Sequence, residues 1–190
     1  MKKRIAILAS GAGSNAQRII EYFKVCGSAD VVLVGCNNPN ALVLKKAANL
    51  GVSSFVFNKC ALKSLSVVLD KLLAEKVDLI VLAGFLLKVP ESIVQAFPNR
   101  IINLHPALLP KFGGEGMYGK HVHKAVIEAQ EKESGITIHY VNEHYDDGAT
   151  IFQAKCVVNE NDDAETLAQK IHALEHEHFA KTIDQIIQTL

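Results

Sequence analysis

Residues 3–27 read KRIAILASGAGSNAQRIIEYFKVCG, and within this stretch the spacing of the apolar residues changes from that of a strand to that of a helix. The run 3–10 is short, apolar and β-branched, which is typical of a buried strand, and it stops at Gly11. From Asn15 to Gly27 the apolar residues recur at helical spacing. The stretch therefore predicts a strand, a tight glycine turn and a helix.

The same order of elements returns along the chain. Residues 78–84, DLIVLAG, are apolar without alternation, as expected of a central parallel strand that is covered on both faces. We predict the other strands at 30–38, 52–58, 100–104, 135–142 and 149–158, and the other helices at 41–51, 61–76, 121–133 and 162–190. Alternating strands and helices indicate an α/β fold with a doubly wound, mostly parallel sheet flanked by helices. No repeat or linker divides the chain, so we expect a single domain over residues 1–190.

The composition limits the classes of partner. Lysine and arginine together number 20, as do aspartate and glutamate, so the formal net charge is +0. Such a chain lacks the broad positive field that holds nucleic acid or an anionic membrane, and we expect small-molecule substrates instead. The N-terminal apolar run is too short for a signal sequence, no stretch is long enough to span a membrane, and the four cysteines are widely separated. These features predict a cytoplasmic protein with reduced thiols and no zinc site.

The glycine turn first suggests a dinucleotide. Gly11, Gly13 and Ala16 fit a dinucleotide-binding fingerprint, which would make the protein a nicotinamide-dependent oxidoreductase. The second predicted strand, however, ends in Cys-Asn-Asn at 36–38, where such enzymes normally carry an acidic residue for the ribose hydroxyls. The ending of this strand therefore disfavours a dinucleotide.

A single phosphate is the better candidate ligand for the turn. The first amide N–H groups of a helix have no partner within the helix, and the helix dipole places partial positive charge at this end. Together with Ser14 and Asn15, these groups suit a phosphate monoester. The sequence leaves open the alternative that Ser14 or Asn15 only caps the helix.

A long loop follows the strand 100–104, and two polar side chains stand at its start. Residues 105–119, HPALLPKFGGEGMYG, are rich in glycine and proline, and long loops in a compact domain are often functional. Asn103 and His105 alternate, so they point to the same side of the strand. An amide N–H and a protonated imidazole are two donors that could stabilise an oxyanion on a carbonyl under attack. The alternative is a histidine whose partner is a backbone carbonyl.

Such a histidine needs a carboxylate if it is to carry a proton. Asp146 and Asp147 lie in the loop 143–148, between two predicted strands that should lie beside Asn103 and His105. A buried aspartate near an imidazole favours the charged imidazolium and can relay a proton. The alternative is an ordinary hairpin turn with solvated aspartates.

Four motifs, in order along the chain, resemble those of one family. They are Gly-Ser-Asn at 13–15, LAGF at 82–85, NLHPALLP at 103–110 and the DDG loop that begins at Asp146. This combination is similar to the phosphoribosylglycinamide formyltransferases, and the similarity spans nearly the whole chain. It implies a Rossmann-like formyltransferase domain that moves a formyl group from 10-formyltetrahydrofolate, the cosubstrate, to the amine of glycinamide ribonucleotide in de novo purine synthesis. It also implies direct transfer through a tetrahedral intermediate, without a metal.

The resemblance implies that three groups of residues form the site. The catalytic residues are Asn103, His105 and Asp146, with Asp146 preferred over Asp147. The substrate phosphate is bound by Gly13, Ser14 and Asn15, and the rest of the substrate by Gly84, Pro106, His172 and Glu175. The folate pocket is formed by Phe85, Leu86, Leu87, Lys88, Val89, Ile102, Val141, Asn142, Glu143, His144 and Tyr145.

The predicted closing helix carries charged groups in two notable places. Glu175 continues the apolar row of Leu167 and Ile171, and a charge in such a row needs a partner. His172 and His176 lie one helical turn apart and could bind a metal, but no third ligand is indicated. We therefore expect these two histidines to lie on a solvated helix face, with no metal.

Two further functions stay open from the sequence. The first is another enzyme that handles formyl folate, but a methionyl-tRNA formyltransferase usually adds a C-terminal β-barrel, a deformylase usually adds an N-terminal regulatory domain, and we expect no room for either in 190 residues. The second is a non-catalytic nucleotide- or folate-binding module, which would not need Asn103, His105 and Asp146 together.

The glycine-rich segment 113–119 is expected to be flexible, either as a lid over the substrate or as a disordered stretch. The sequence leaves the oligomeric state open.

Overall fold

The computed structural model describes residues 2–63 and 66–190, and within these residues seven strands form one sheet. The strands are β1 (Lys3–Ala9), β2 (Ala29–Cys36), β3 (Ser53–Val56), β4 (Leu79–Leu82), β5 (Ile101–His105), β6 (Glu133–Tyr140) and β7 (Thr150–Val157). Their order across the sheet is β3-β2-β1-β4-β5-β6-β7. The pairings from β3 to β5 are parallel, whereas β6 runs antiparallel to both β5 and β7. The predicted doubly wound, mostly parallel sheet is therefore confirmed.

The strand order reverses beside β1. The chain first extends the sheet in one direction through β2 and β3, and then returns to the other side of β1 with β4. At such a switch point the connections after neighbouring strands leave on opposite faces, which opens a crevice at the carboxyl ends of the strands. The connections after β1 and β4 therefore form two walls of a crevice.

Helices cover both faces of the sheet. They are α1 (Ser14–Cys26), α2 (Leu42–Asn49), α3 (Lys59–Lys63), α4 (Val67–Ala74), α5 (Glu91–Ala96), α6 (Lys120–Glu128) and α7 (Ala164–Thr189). Alternation along β1 separates the two layers, because Ile5 and Ile7 pack with side chains of α1 and α7, whereas Ala6 and Leu8 pack with those of α4 and α5. No helix within residues 2–63 and 66–190 is long and apolar enough to cross a membrane.

The largest differences between the predicted and the observed elements concern three helical segments. The helix predicted at 61–76 corresponds to α3 and α4, and its residues Ser64 and Leu65 lie outside the described residues. The helix predicted to reach residue 133 ends at Glu128, because Glu133 pairs with Val157 at the start of β6. The helix α5 was not predicted, since its six residues are too few to show a helical period.

The long helix α7 carries one polar side chain into the core. It begins with a capping box, in which the Asp163 side chain accepts from the Thr166 N–H and the Thr166 side chain accepts from the Asp163 N–H. Its buried row includes Leu167, Ile171 and Glu175. Helix packing against β6 and β7 therefore brings a carboxylate to the inner side of the helix, as its place in the apolar row indicated.

Candidate active site

A cavity of about 620 Å³ lies at the carboxyl ends of β1, β4 and β5. This volume is in the range of pockets that hold small-molecule ligands. All but two of the site residues predicted from the sequence line the cavity. Its walls come from the turn after β1, the segments 82–89 and 103–106, the glycine-rich segment 114–120, the β6–β7 hairpin, α6 and α7.

Asn103, His105 and Asp146 meet at one end of the cavity. The Nδ2 of Asn103 donates to the Oδ1 of Asp146 at 3.4 Å, and the Nδ1 of His105 lies 3.4 Å from the Oδ2 of Asp146. Both β5 side chains point to the same side, and the β6–β7 hairpin brings Asp146 across from them. Since His105 is only 3% exposed, its interaction with the carboxylate is shielded from solvent. The structure thus brings together the three side chains that the sequence singled out.

The backbone of the glycine-rich loop holds two members of this cluster. The Nε2 of His105 donates to the Phe112 carbonyl at 2.7 Å, and the Gly114 N–H donates to the Oδ2 of Asp146 at 3.0 Å. Asp146 has a φ of 52°, a left-handed conformation that aspartate adopts more readily than most residues. Asp147, its neighbour, is exposed. His105 therefore has both of the partners considered from the sequence, a carboxylate and a backbone carbonyl.

Burial has the largest effect on the pKa of His105. It lowers the pKa of this histidine, and the Asp146 carboxylate and the Phe112 carbonyl raise that pKa only in part. The expected effect of the aspartate, which favours the charged imidazolium, is present, but burial outweighs it and the net shift of the pKa is downward. Burial raises the pKa of Asp146, but the neighbouring histidines and the Gly114 N–H together lower it below its usual value. Because both ring nitrogens of His105 face oxygen acceptors, a proton that reaches the ring is stabilised from two sides.

His139 orients the amide of Asn103. The Nδ1 of His139 lies 2.8 Å from the Tyr140 carbonyl, which can only accept, so this nitrogen is the donor. Its Nε2 then accepts from the Nδ2 of Asn103 at 3.2 Å. Asn103 and His139 are directly paired in the antiparallel register of β5 and β6. Sequence reasoning missed His139 as a site residue, and this strand pairing is the signal that would have found it.

The turn after β1 has the backbone geometry of an anion-binding site. The helix α1 begins at Ser14, directly after Gly13 with its φ of 69°. A Cβ at position 13 would lie 2.5 Å from the Cγ2 of Val43, so the close approach of α2 also requires glycine. Gly13 is itself the N-cap and no side chain caps the helix, so the capping alternative for Ser14 and Asn15 is not observed. Both side chains line the cavity beside the first N–H groups of α1.

Glu175 links this turn to α7. Its carboxylate is only 6% exposed, and its Oε2 accepts from the Nδ2 of Asn15 at 2.9 Å and from the Nδ1 of His172 at 2.8 Å. The partner that a charge in an apolar row requires is therefore present. The hydrogen bond to Glu175 raises the pKa of His172. The rings of His172 and His176 are 6.3 Å apart, and within the part of the chain that the structure describes, no group of three metal-ligating side chains is found.

The segment 84–89 supplies an apolar wall, and Ser10 anchors it. The Ser10 N–H donates to the Gly84 carbonyl at 3.0 Å, and the Ser10 hydroxyl oxygen accepts from the Leu86 N–H at 2.9 Å. The same hydroxyl donates to the Oδ1 of Asn37 at 2.6 Å. The end of β1 therefore fixes the backbone of the connection after β4, and Asn37, at the end of β2, supports this contact.

The β6–β7 hairpin supplies another wall. The Nζ of Lys88 lies 5.4 Å from the centroid of the Tyr145 ring, which joins the two walls by a cation–π contact. Two residues predicted to bind folate do not line the cavity. Ile102 is fully buried in the core, because strand alternation turns it away from the face that carries Asn103, and Glu143 is exposed.

Several residues of the cavity wall were not predicted as site residues. Most of them follow a predicted strand or belong to the glycine-rich loop, which was expected to be flexible and was given no contacts. His123 had no signal beyond its place in a predicted helix. The unpredicted wall residues are Gly11, Ala12, Leu82, Ala83, Leu104, Gly114, Glu115, Gly116, Met117, Tyr118, Gly119, Lys120, His123, His139 and Ala168.

Comparison with known proteins links this site to a family. Residues 3–183 match the family model described as formyl transferase. A phosphoribosylglycinamide formyltransferase of Bacillus subtilis is 35% identical over 192 residues, which cover 97% of this chain and 95% of that protein. A chloroplastic phosphoribosylglycinamide formyltransferase of Arabidopsis thaliana is 40% identical over 193 residues, which cover 98% of this chain and 66% of that protein.

Some relatives are much longer than this chain. In the trifunctional purine biosynthetic protein adenosine-3 of Drosophila melanogaster, the matching region is 39% identical and covers 98% of this chain but only 14% of that protein. Among solved structures, glycinamide ribonucleotide transformylase 1 from Symbiobacterium toebii has a TM-score of 0.92 and 32% identity, with 99% of this chain and 89% of that chain covered. Because the family model matches residues 3–183 and these relatives cover nearly the whole chain, this chain belongs to the formyl transferase family.

Proposed function

We propose that this protein transfers a formyl group from 10-formyltetrahydrofolate to the amine of glycinamide ribonucleotide, a step of de novo purine synthesis. One observation carries the proposal: at one end of the cavity, Asn103 and His105 each lie 3.4 Å from a carboxylate oxygen of Asp146. The turn at 13–15, in the wall of the same cavity, suits a phosphate monoester. The relatives named phosphoribosylglycinamide formyltransferases support formyl transfer to this acceptor.

Asn103 stabilises the charge that develops during the reaction. The amine nitrogen of the ribonucleotide attacks the formyl carbon, and the formyl oxygen becomes an oxyanion in a tetrahedral intermediate. Of the two contacts of the Asn103 Nδ2, the one to Asp146 is the longer, so this N–H is the one that turns to the oxyanion. The other contact, to His139, keeps the amide in place during this exchange.

His105 and Asp146 handle the proton. Burial lowers the pKa of His105, so the ring starts the reaction neutral and can accept a proton. The single proton of the neutral ring is on the Nε2, which donates to the Phe112 carbonyl, so the Nδ1 is the nitrogen that accepts the new proton. Asp146 then stabilises the imidazolium. When the bond from the formyl carbon to the folate nitrogen breaks, that nitrogen takes the electron pair and the proton that the amine has lost. The products are tetrahydrofolate and the N-formylated ribonucleotide, and the enzyme returns to its starting state.

The two ends of the ribonucleotide are assigned to different walls. The phosphate is held by the first N–H groups of α1 with Gly13, Ser14 and Asn15. The remainder of this substrate contacts Gly84, Pro106, His172 and Glu175. Since Glu175 already holds Asn15 in place, it connects the phosphate turn to the middle of the substrate.

The folate is assigned to the apolar walls. The cavity of about 620 Å³ has a size suited to a ligand of this class, and the backbone groups of its two loops can read the edge of a pterin ring. Ile102 and Glu143 are left out of the assignment. The folate residues are Phe85, Leu86, Leu87, Lys88, Val89, Val141, Asn142, His144 and Tyr145.

We also propose that residues 1–190 act as one formyltransferase domain on small molecules in the cytoplasm and use no metal.

A direct assay tests whether the protein transfers the formyl group. Purified protein with both substrates should form tetrahydrofolate and the formylated ribonucleotide in equal amounts, and activity should survive a metal chelator. Formation of formate and tetrahydrofolate without the ribonucleotide would instead identify a deformylase. Absence of turnover, with both ligands bound, would identify a non-catalytic binding module.

A further inference from the structure

A buried histidine in the cavity wall takes no part in the proposed mechanism. His123 lies on α6, is 4% exposed and lines the cavity. Its Nδ1 is buried and makes no hydrogen bond with any described residue. Buried polar side-chain atoms nearly always have a partner, so this one requires an explanation.

Packing does not provide that explanation. His123 is on a helix whose residues Val122 and Val126 are buried in the core that α6 shares with α7. A leucine in the same place would fill a comparable volume and would leave no polar atom unpaired. A ligand therefore explains the imidazole better than packing does.

His123 lines the same cavity as the charged groups that act on its ring. Among the charged groups that act on the ring, Glu175 has the largest effect, followed by His172 and then His105. Glu175 contacts Asn15 at the phosphate turn, whereas His105 belongs to the catalytic cluster. A ligand that spans the turn and the catalytic cluster therefore fills the cavity whose wall includes His123.

We infer that His123 is a substrate-binding residue, which forms a hydrogen bond to a sugar hydroxyl between the phosphate and the reacting amine of the ribonucleotide. The inference rests on the proposed function. Burial lowers the pKa of His123, so the ring is neutral and offers one N–H donor and one acceptor. A hydroxyl group also offers both, which makes it a suitable partner for either ring nitrogen.

The test is the substitution His123→Leu, with KM measured separately for each substrate. Loss of the hydrogen bond should raise KM for glycinamide ribonucleotide about tenfold, while KM for 10-formyltetrahydrofolate and kcat change less than about twofold. Without substrates, the melting temperature should be equal to or above that of the wild type, because an unpaired buried atom is removed. His123→Asn restores a donor and an acceptor and should give an intermediate KM.

A matched control lies on the same helix. His121 is exposed, two residues away, and His121→Leu should leave both KM values unchanged. A folded His123→Leu variant with an unchanged KM for the ribonucleotide would overturn the inference, as would an equal rise in both KM values. If the leucine variant does not fold, the KM of the asparagine variant decides in the same way. A wild-type protein that neither transfers the formyl group nor binds the ribonucleotide would instead refute the proposed function itself.

Discussion

The two ends of the cavity differ in how their buried polar groups are paired. At the catalytic end, the carboxylate of Asp146 is held by Asn103 and by the Gly114 N–H. At the substrate end, Glu175 pairs with Asn15 and His172, but the Oδ1 of Asn15 and the Nδ1 of His123 are buried without a partner among the described residues. Paired groups are already oriented for reaction, whereas the unpaired atoms leave the substrate end with fewer fixed internal contacts. Substitutions at the catalytic end should therefore lower kcat, and substitutions at the substrate end should raise KM.

The largest effect is expected from Asn103→Ala at the catalytic end. Removal of one donor to an oxyanion lowers kcat by about 100- to 1,000-fold. KM for each substrate should change less than about threefold, because this interaction forms mainly in the transition state. Steady-state kinetics with both substrates give the two parameters. A near-normal kcat in this variant would show that Asn103 does not stabilise the oxyanion. It would also contradict the expectation that substitutions at the catalytic end lower kcat.

A smaller effect is expected from Asp146→Asn. The carboxylate raises the pKa of His105, so its removal should lower that pKa further and move the acidic limb of the pH profile of kcat to lower pH. We expect kcat at neutral pH to fall about tenfold to 100-fold, because the imidazolium loses its stabilising charge. Asp147→Asn is the matched control, since this neighbour is exposed. An unchanged pH profile of kcat in Asp146→Asn would show that the aspartate takes no part in proton transfer.

The smallest effect is expected from His172→Gln at the substrate end, measured as stability. The pKa of His172 is raised by Glu175, so its stabilising contribution is fully present below the ordinary histidine pKa of about 6.5 and is lost as the pH rises through the raised value. Because the histidine side chain is 56% exposed, we expect a loss of only about 0.5 kcal/mol at about pH 5.5. The loss should shrink toward about pH 9. Urea unfolding at both values would test this, and a loss independent of pH would contradict it.

The parts of the fold that were predicted correctly depend on local signals. The change of apolar spacing around Gly11 defines β1 and α1 without reference to any other element. Residues 129–133 were predicted to continue a helix, but the helix ends at Glu128, and Glu133 pairs with Val157 as the first residue of β6. Long-range pairing is not visible in the spacing of neighbouring residues, so this boundary was missed.

The residues of the candidate site also divide into those that local signals predict and those that depend on long-range contacts. Strand alternation alone put Asn103 and His105 on one side, and the same rule places Ile102 on the other. Prediction of His139 as a site residue would have required the register between β5 and β6. To predict whether the pKa of His105 is raised or lowered, one must know how deeply the ring is buried, and the sequence does not contain this information.

The short backbone stretch 112–114 touches the catalytic machinery twice, through the Phe112 carbonyl on His105 and the Gly114 N–H on Asp146. A single shift of this stretch releases the base and the carboxylate at the same moment. The orientation of the proposed base and that of its carboxylate would therefore be lost together if the backbone of residues 112–114 changed its path.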